Sequence, residues 1–350
     1  LQSIPKERSL WVIFSLKYHE AAARHLASLG FHNLCVYTPE LDNELKKAFF
    51  AQRFSGEGKN FAMVQDYPPK SVEIYMAKSI YDKEIVNYPA ALSPYIIPIQ
   101  AGAALTEKRI ADVVDSTGDN ISSRNRRYSE MTVFYWMWKN VKADFYGMMH
   151  YRRYLILKND KWIEKNFNKF IERNFYINRL INIFFNVDLF QTISSDKLFI
   201  QKELKYFSEH LSELMEKNDV ILPKKIKLET SVYKHYKKFH IIKHLDLLME
   251  VIKEDYSYLY KYVEKDIKKS RYMYSTNMFI MKKEIFFEYC EFLFDVLFKL
   301  ESKIMIPNDV YQTRVFGFLS ERLMLPFINY LKYEKKIKIK ELHVLFCDLN

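Results

Sequence analysis

Apolar positions along the chain switch between two periods, and the switching predicts strands and helices in succession. Residues 10–14 (Leu-Trp-Val-Ile-Phe) form a short apolar run. Residues 18–29 repeat apolar positions at helical spacing and end on Gly30, a suitable C-cap. Residues 34–37 form a second apolar run, closed by Pro39. This is one βαβ-like unit, too small to stand alone. It reads as the tail of an upstream Rossmann-like domain or as an extension packed on the next one. Residues 40–70, with Gly56, Gly58, Pro68 and Pro69, read as a connector, so residues 1–70 are set apart as an N-terminal segment.

A new unit starts at Ser71. Residues 72–77 predict a first strand and residues 95–100 a second, before Gly102. Residues 128–141 carry apolar positions three and four apart and predict a helix; residues 145–149 predict a buried strand. Residues 160–218 are helical in period and rich in charge, which predicts an insertion over the sheet. Residues 220–223 and 277–281 predict further strands, and residues 235–252, 284–301 and 310–331 predict helices. The alternation gives an α/β fold with a mixed sheet and a helical insertion, plus the small N-terminal α/β segment. Its main domain is expected over residues 71–330, with residues 331–350 as a basic C-terminal tail.

Composition narrows this only in part. Hydrophobic residues make up 49% and charged residues 28% of the 350, enough for a packed core and against wholesale disorder. The 26 Tyr and 27 Phe suit sugar-facing surfaces and cores alike. The 3 cysteines, Cys35, Cys290 and Cys347, have neither disulfide nor metal-ligand spacing. The most apolar stretch, residues 286–300, is broken by Glu288, Glu291, Asp295 and Lys299, so no transmembrane span is expected. No signal peptide is visible, although the first residue is Leu1, and the expected location is the cytoplasm. The net charge of +11 attracts phosphorylated ligands or an anionic membrane. Lys335, Lys336, Lys338 and Lys340 in the tail read as a soluble surface or as a weak peripheral attachment to an anionic inner leaflet. No compact motif favours nucleic acid as a partner.

Two clusters carry candidate chemistry. Residues 115–125 gather Asp115, Asp119, Asn120, Ser122 and Asn125 just before a helix. Helix capping accounts for one or two of them. As a set they suit a diphosphate at a helix N-terminus, with carboxylates for ribose hydroxyls. The second cluster, His150-Tyr151-Arg152-Arg153-Tyr154, follows a buried strand, where active groups of α/β sheets collect. Arg152 and Arg153 offer planar bonds to phosphate, though strand geometry points them to opposite sides. One then faces the ligand and the other makes a structural contact.

The ordered segments PIQAGAAL (98–105), DSTGDNIS (115–122), YSEMTVFYWMWKN (128–140), HYRRY (150–154), NMFIMKK (277–283) and RVFGFLSERL (314–323) resemble the capsular-polysaccharide glycosyltransferase family catalogued as domain of unknown function 4422. The resemblance spans about residues 71–330. It implies a GT-A-like nucleotide-sugar transferase fold, a UDP-sugar donor of the galactose or galactofuranose class, and a capsule or lipooligosaccharide acceptor, glycan or lipid-linked. The family pattern has a His-Lys pair after the first strand; this chain has Ala77 and Lys78, leaving Lys78 to meet a phosphate.

The donor-binding set is thus expected to be Lys78, Gln100, Gly102, Asp115, Asp119, Asn120, Ser122, Asn125, Tyr128, Arg152 and Arg153, with Asn277 and His240 facing the acceptor. Where common GT-A enzymes carry an Asp-x-Asp metal pair, this chain has His150-Tyr151-Arg152-Arg153. No cofactor is therefore expected to be required, cationic side chains replacing the metal; the competing reading is Mg²⁺ or Mn²⁺ on Asp115 and Asp119. An inverting transferase also needs a base. Glu321, Asp309 and Glu130 qualify by type, each with a structural reading beside the catalytic one: ion pair, N-cap and buried partner of Arg126 or Arg127 respectively. Glu321, with His150, is preferred for its motif. His235, His240 and His244 fall near helical spacing but lack the acidic ligand a zinc site needs. Two other readings remain: another nucleotide-dependent transferase such as a phospho-sugar transferase, and a non-catalytic glycan-binding or scaffold subunit of a capsule assembly complex.

Overall fold

The computed structural model describes residues 11–13, 25–31, 34–36, 71–82, 93–157, 191–194 and 197–347. The chain divides into two compact units, Leu1–Tyr67 and Pro68–Asn350. In the first, β1 (Trp11–Ile13) and β2 (Leu34–Val36) pair in parallel. The connector expected over residues 40–70, and residues 160–190 of the expected insertion, lie outside the described residues.

The second unit is built on a nine-stranded sheet. Its centre is parallel: β3 (Val72–Lys78) lies between β4 (Ile96–Gln100) and β6 (Phe145–His150), and the two-residue β5 (Val113–Val114) adds to β4. Between β5 and β6 come one helical turn, α1 (Asn125–Tyr128), and α2 (Met131–Asn140). Past β6 the sheet turns mixed. β7 (Arg153–Ile156) folds back on β6; β8 (Gln191–Ser194), α3 (Lys197–Lys217) and β9 (Val220–Pro223) follow. A small pair, β10 (Ile226–Lys227) with β11 (Tyr272–Met273), brackets α4 (Val232–Phe239), α5 (Ile242–Asp255) and α6 (Ser257–Glu264). Then β12 (Phe279–Lys282) runs antiparallel to both β6 and β9 and leads into α7 (Lys283–Glu301), α8 (Val315–Glu334) and β13 (Ile339–Cys347).

Both faces of the central strands are covered, so these strands read as nearly unbroken apolar runs. In β3, Ile74 and Met76 join one core with α3, while Tyr75 and Ala77 join the other with α2, α7 and α8. β6 divides the same way, with Phe145 and Met149 toward α3 and Tyr146 and Met148 toward the larger helical layer.

Three expectations change. The basic tail is no tail: β13 pairs with β7, β8 and β9 inside the sheet. Exposed Lys336, Lys338 and Lys340 alternate with half-buried Ile337 and Ile339, which is the period of a strand. The helix expected over residues 128–141 is broken at Ser129, whose φ of 50° ends α1. The helix expected over residues 235–252 is two, with His240 as the extended C-cap of α4; His240 and His244 therefore do not share one helix face, and His244 is buried.

Gly147 stands opposite Ile74 in the parallel β3–β6 pairing. A Cβ there would sit 2.7 Å from Ile74 Cγ1. Gly147→Ala is therefore expected to lower the unfolding free energy by about 1–3 kcal/mol through overpacking, read as a reduced urea midpoint.

Candidate active site at the carboxyl edge of the parallel strands

The chain runs from β3 outward through β4 and β5, then returns to the other flank of β3 with β6. The direction of winding therefore reverses between β3 and β6. In open α/β sheets such a reversal opens a crevice beyond the carboxyl ends of the strands. Lys78 closes β3 and His150 closes β6 at that point, with Ala77 and His150 paired.

Around this edge gathers a compact group of ionisable side chains. Glu321, from α8, accepts the Thr276 N–H at 3.0 Å and pairs with Arg322 Nη1 at 2.8 Å. Its side chain keeps 23% exposure, so it remains reachable from solvent. Burial pushes its carboxyl above the ordinary range; Arg322 opposes the rise, Glu130 adds to it, and the Thr276 N–H and His150 pull it back. His150 Nε2 donates to the Thr276 carbonyl. Glu130 accepts the Asn277 amide at 2.8 Å, and the same amide reaches Ser320 Oγ at 3.1 Å. Arg153, lowered by burial, feels Tyr151, Glu321 and Glu130 in its favour and Arg152 against it. Asp82 is raised by burial and held down by the Ser79 N–H and by the charges of His150, Lys78 and Arg314.

The loop that joins these groups is strained. Thr276 and Asn277 have φ of 71° and 48°, in the left-handed region that β-branched residues rarely enter. For Thr276 this conformation costs about 1–3 kcal/mol and persists where its surroundings over-determine it, while Asn277 tolerates the region. Here both backbone polar groups of Thr276 serve the site, the N–H on Glu321 and the carbonyl on His150.

The acidic-polar loop does something else. Asp115 is fully buried, and its oxygens accept from the Gly102 and Ala103 N–H groups at 2.8 and 3.0 Å, from Thr132 Oγ1 at 2.6 Å and from Ser122 Oγ. Asn125 bonds the Ser129 carbonyl and Thr132, and its side chain fills the space beside Gly102, whose φ is 69°. Gln100 is fully buried and clamps the Lys108 carbonyl and the Ile110 N–H. Ser122 also accepts from the Ala104 N–H, and Asn120 bonds within its own turn. These residues form a hydrogen-bonded mesh behind the crevice.

The other expected site residues go elsewhere. Asp119 is fixed by Tyr135 and by Asn140, the last residue of α2, while Glu130 stands at that helix's first turn. Asp119 is thus held at the end of α2 opposite to Glu130. Arg152 turns to β13 and donates to the Cys347 carbonyl at 3.1 Å. Tyr128 is buried against Phe316, with its hydroxyl on Glu301. Asp309 caps its own turn through the Tyr311 and Gln312 N–H groups. His240 lies among Tyr236, Tyr311 and Phe318, and is pushed down to about 4 by burial first and then by Arg322. Two surface depressions, one at Lys225, Tyr274, Asn329 and Glu341 and one at Arg124, Arg126, Arg127 and Glu301, contain none of the His150–Glu321 group.

Sequence reasoning passed over Asp82, Thr276 and Arg314. Arg314 lies inside a quoted motif, so its signal was present. Asp82 and Thr276 sit in turns, and only the fold shows what they face.

Fold and site together define an α/β protein with a group of charged side chains at the switch point of its parallel strands. The chain belongs to the family described as Domain of unknown function (DUF4422), whose model matches residues 82–333. It is similar to the solved apo structure of WbbM, a bifunctional glycosyltransferase: 28% identical, TM-score 0.64, covering 79% of this chain and 45% of that one. The chain thus spans less than half the length of that protein. No curated protein matches it.

Two outcomes follow. Asp115→Ala orphans several buried donors and is expected to destabilise the fold by about 3 kcal/mol or more, measured by chemical denaturation. His240 has its pKa lowered on folding, so the unfolded chain takes up its proton first as pH falls. Its contribution to stability is complete above the ordinary histidine value and is lost as pH falls from there toward about 4. The stability difference between His240→Phe and the parent should therefore change across that window and be flat above it.

Proposed function

We propose that this chain is a glycosyltransferase that moves a hexose of the galactose or galactofuranose class from a UDP-sugar to a capsule or lipooligosaccharide acceptor, on a GT-A-like fold. The observation that carries the reading is the gathering of two half-buried carboxylates, Glu321 and Glu130, with His150 and Arg153 at the carboxyl edge of β3 and β6. The likeness to a glycosyltransferase supports the same reaction class.

In this reading the donor diphosphate lies over the carboxyl ends of β3 and β6, where Lys78 and Arg153 supply positive charge beside His150. They stabilise the departing UDP as its negative charge develops. Arg153 acts as a fixed cation, because a guanidinium stays protonated even when burial lowers its pKa. Glu321 takes the proton from the acceptor hydroxyl as the new glycosidic bond forms and the bond to the phosphate oxygen breaks. A carboxylate raised by burial is a stronger base than a solvated one, and its partial exposure gives the acceptor access. Glu130, held by Asn277, keeps a negative charge nearby and raises Glu321 further. Asp115 does not suit the competing Mg²⁺ or Mn²⁺ reading: its oxygens are already taken by donors from Gly102, Ala103, Ser122 and Thr132.

Incubation with candidate UDP-sugars and an acceptor tests the proposal through UDP release. Turnover should persist in EDTA, and Glu321→Gln should lower kcat by about a hundred- to ten-thousand-fold. Because the base works deprotonated, activity should fall with falling pH from above the ordinary glutamate value of about 4.3. A Glu321→Gln protein with normal turnover would remove the assigned role. A chain that binds UDP-sugars yet releases no UDP would favour a non-catalytic subunit.

A further inference from the structure

One surface of the second unit carries large apolar side chains that nothing within the described residues covers. Val310 and Met305 are 93% and 88% exposed, Tyr311 and Phe239 are 51% and 47%, and Ile241 is exposed beside them. They come from two segments fastened side by side. Gln312 donates to the Phe239 carbonyl at 2.8 Å, His240 stacks on Tyr311, and His244 bonds the Met305 backbone. A run of such residues on a soluble surface marks an interaction site.

The rim of this strip is basic. Lys234, Lys237 and Lys238 project from the outer face of α4 and Lys243 from the first turn of α5, all exposed and none in an ion pair with a described residue. Lys238 lies over the Phe239 ring at 5.3 Å. The acid on the strip itself, Asp309, is spent on its own turn. A protein partner would meet these lysines with carboxylates at fixed positions. Unpaired lysines on α4 and α5 beside protruding Val, Met, Tyr, Phe and Ile instead fit a surface whose negative charges move, with an apolar interior within reach.

We infer that this strip docks the protein on an anionic membrane surface, the apolar side chains entering the headgroup boundary and the lysines meeting lipid phosphates. The strip also adjoins the crevice. Tyr311 and His240 pack on Phe318, one helical turn before Glu321, and Arg314 reaches Ser129 beside Glu130. Docking there sets the crevice close to the lipid surface, where a lipid-linked acceptor presents its sugar. The attachment falls to the α4–α5 junction and the loop before α8, not to the lysines near the C-terminus, which lie beside and within a strand of the sheet.

Co-sedimentation of the full chain with vesicles tests this without any donor or acceptor, so its failure is separable from failure of the transferase reading. The parent should bind phosphatidylglycerol-containing vesicles, bind phosphatidylcholine vesicles far less, and lose binding as salt rises. Each of Lys237→Gln and Lys238→Gln should weaken binding by about fivefold, and Met305→Ser with Val310→Ser by about tenfold together. Unchanged melting temperatures show that the variants remain folded. The inference is overturned if the parent ignores anionic vesicles, or if both variant sets bind as the parent does. It is equally overturned if the apolar pair abolishes a dimer in solution and leaves vesicle binding untouched.

Discussion

The geometry of the crevice depends on one strained peptide segment. Thr276 and Asn277 adopt left-handed conformations, rare for the β-branched Thr276 and tolerated by Asn277, and this brings three bonds together on consecutive residues. The Thr276 carbonyl fixes His150 at the end of β6, its N–H fixes Glu321 on α8, and the Asn277 amide fixes Glu130 at the start of α2. Elements far apart in sequence thus meet on two consecutive residues. The strain is tolerated because β12, which begins two residues later, is locked between β6 and β9. The turn cannot relax without moving a strand paired on both sides.

Behind this segment, Asp115 has a comparable task with backbone donors. It holds the turn after β4 against the first turn of α2, and Asn125 packs the gap left by a glycine in the left-handed region. A buried carboxylate that satisfies several donors is stable where an unpaired one would not be. The two networks differ in their balance. Around Asp115 the acceptors and donors match within the chain. Around the strained segment Glu321, Asp82 and Arg153 are instead each shifted by burial and by charges from several elements. Perturbed ionisable groups in a crevice are the usual mark of chemistry, whereas saturated ones are the mark of architecture.

That distinction explains what the residue string revealed. Central strands were visible because runs such as residues 72–77 and 145–149 are apolar on both faces, and the position of His150 after a buried strand pointed at the crevice. Side-chain type was a poor guide to role. Asp115, Asp119, Asn120 and Ser122 form an acidic-polar cluster in sequence, but the chain divides them, Asp115, Asn120 and Ser122 into a mesh and Asp119 to the far end of α2. The strand at residues 339–347 was hidden by the lysines beside and within it, since charge density reads as solvent exposure unless its period of two is noticed. Asp82 and Thr276 gain meaning solely from partners distant in sequence, which no local pattern encodes.

Helix α8 gives the arrangement its direction. Phe318, Glu321 and Arg322 fall within about one turn of one another, so they occupy neighbouring positions on one side of the helix. Glu321 faces the strained segment; Arg322 anchors its carboxylate and lies over the Tyr236 ring; Phe318 meets His240 and Tyr311 at the exposed strip. Arg314, just before the helix, completes the path by reaching Ser129 next to Glu130. A displacement of α8 along its axis would therefore move the candidate base and the edge of the apolar strip together. Because Glu321 accepts the Thr276 N–H and Ser320 accepts the Asn277 amide, such a displacement would have to break the bonds that tie α8 to the strained segment. The crevice and the strip are held in fixed register, which is the condition for a surface contact to set how an acceptor enters.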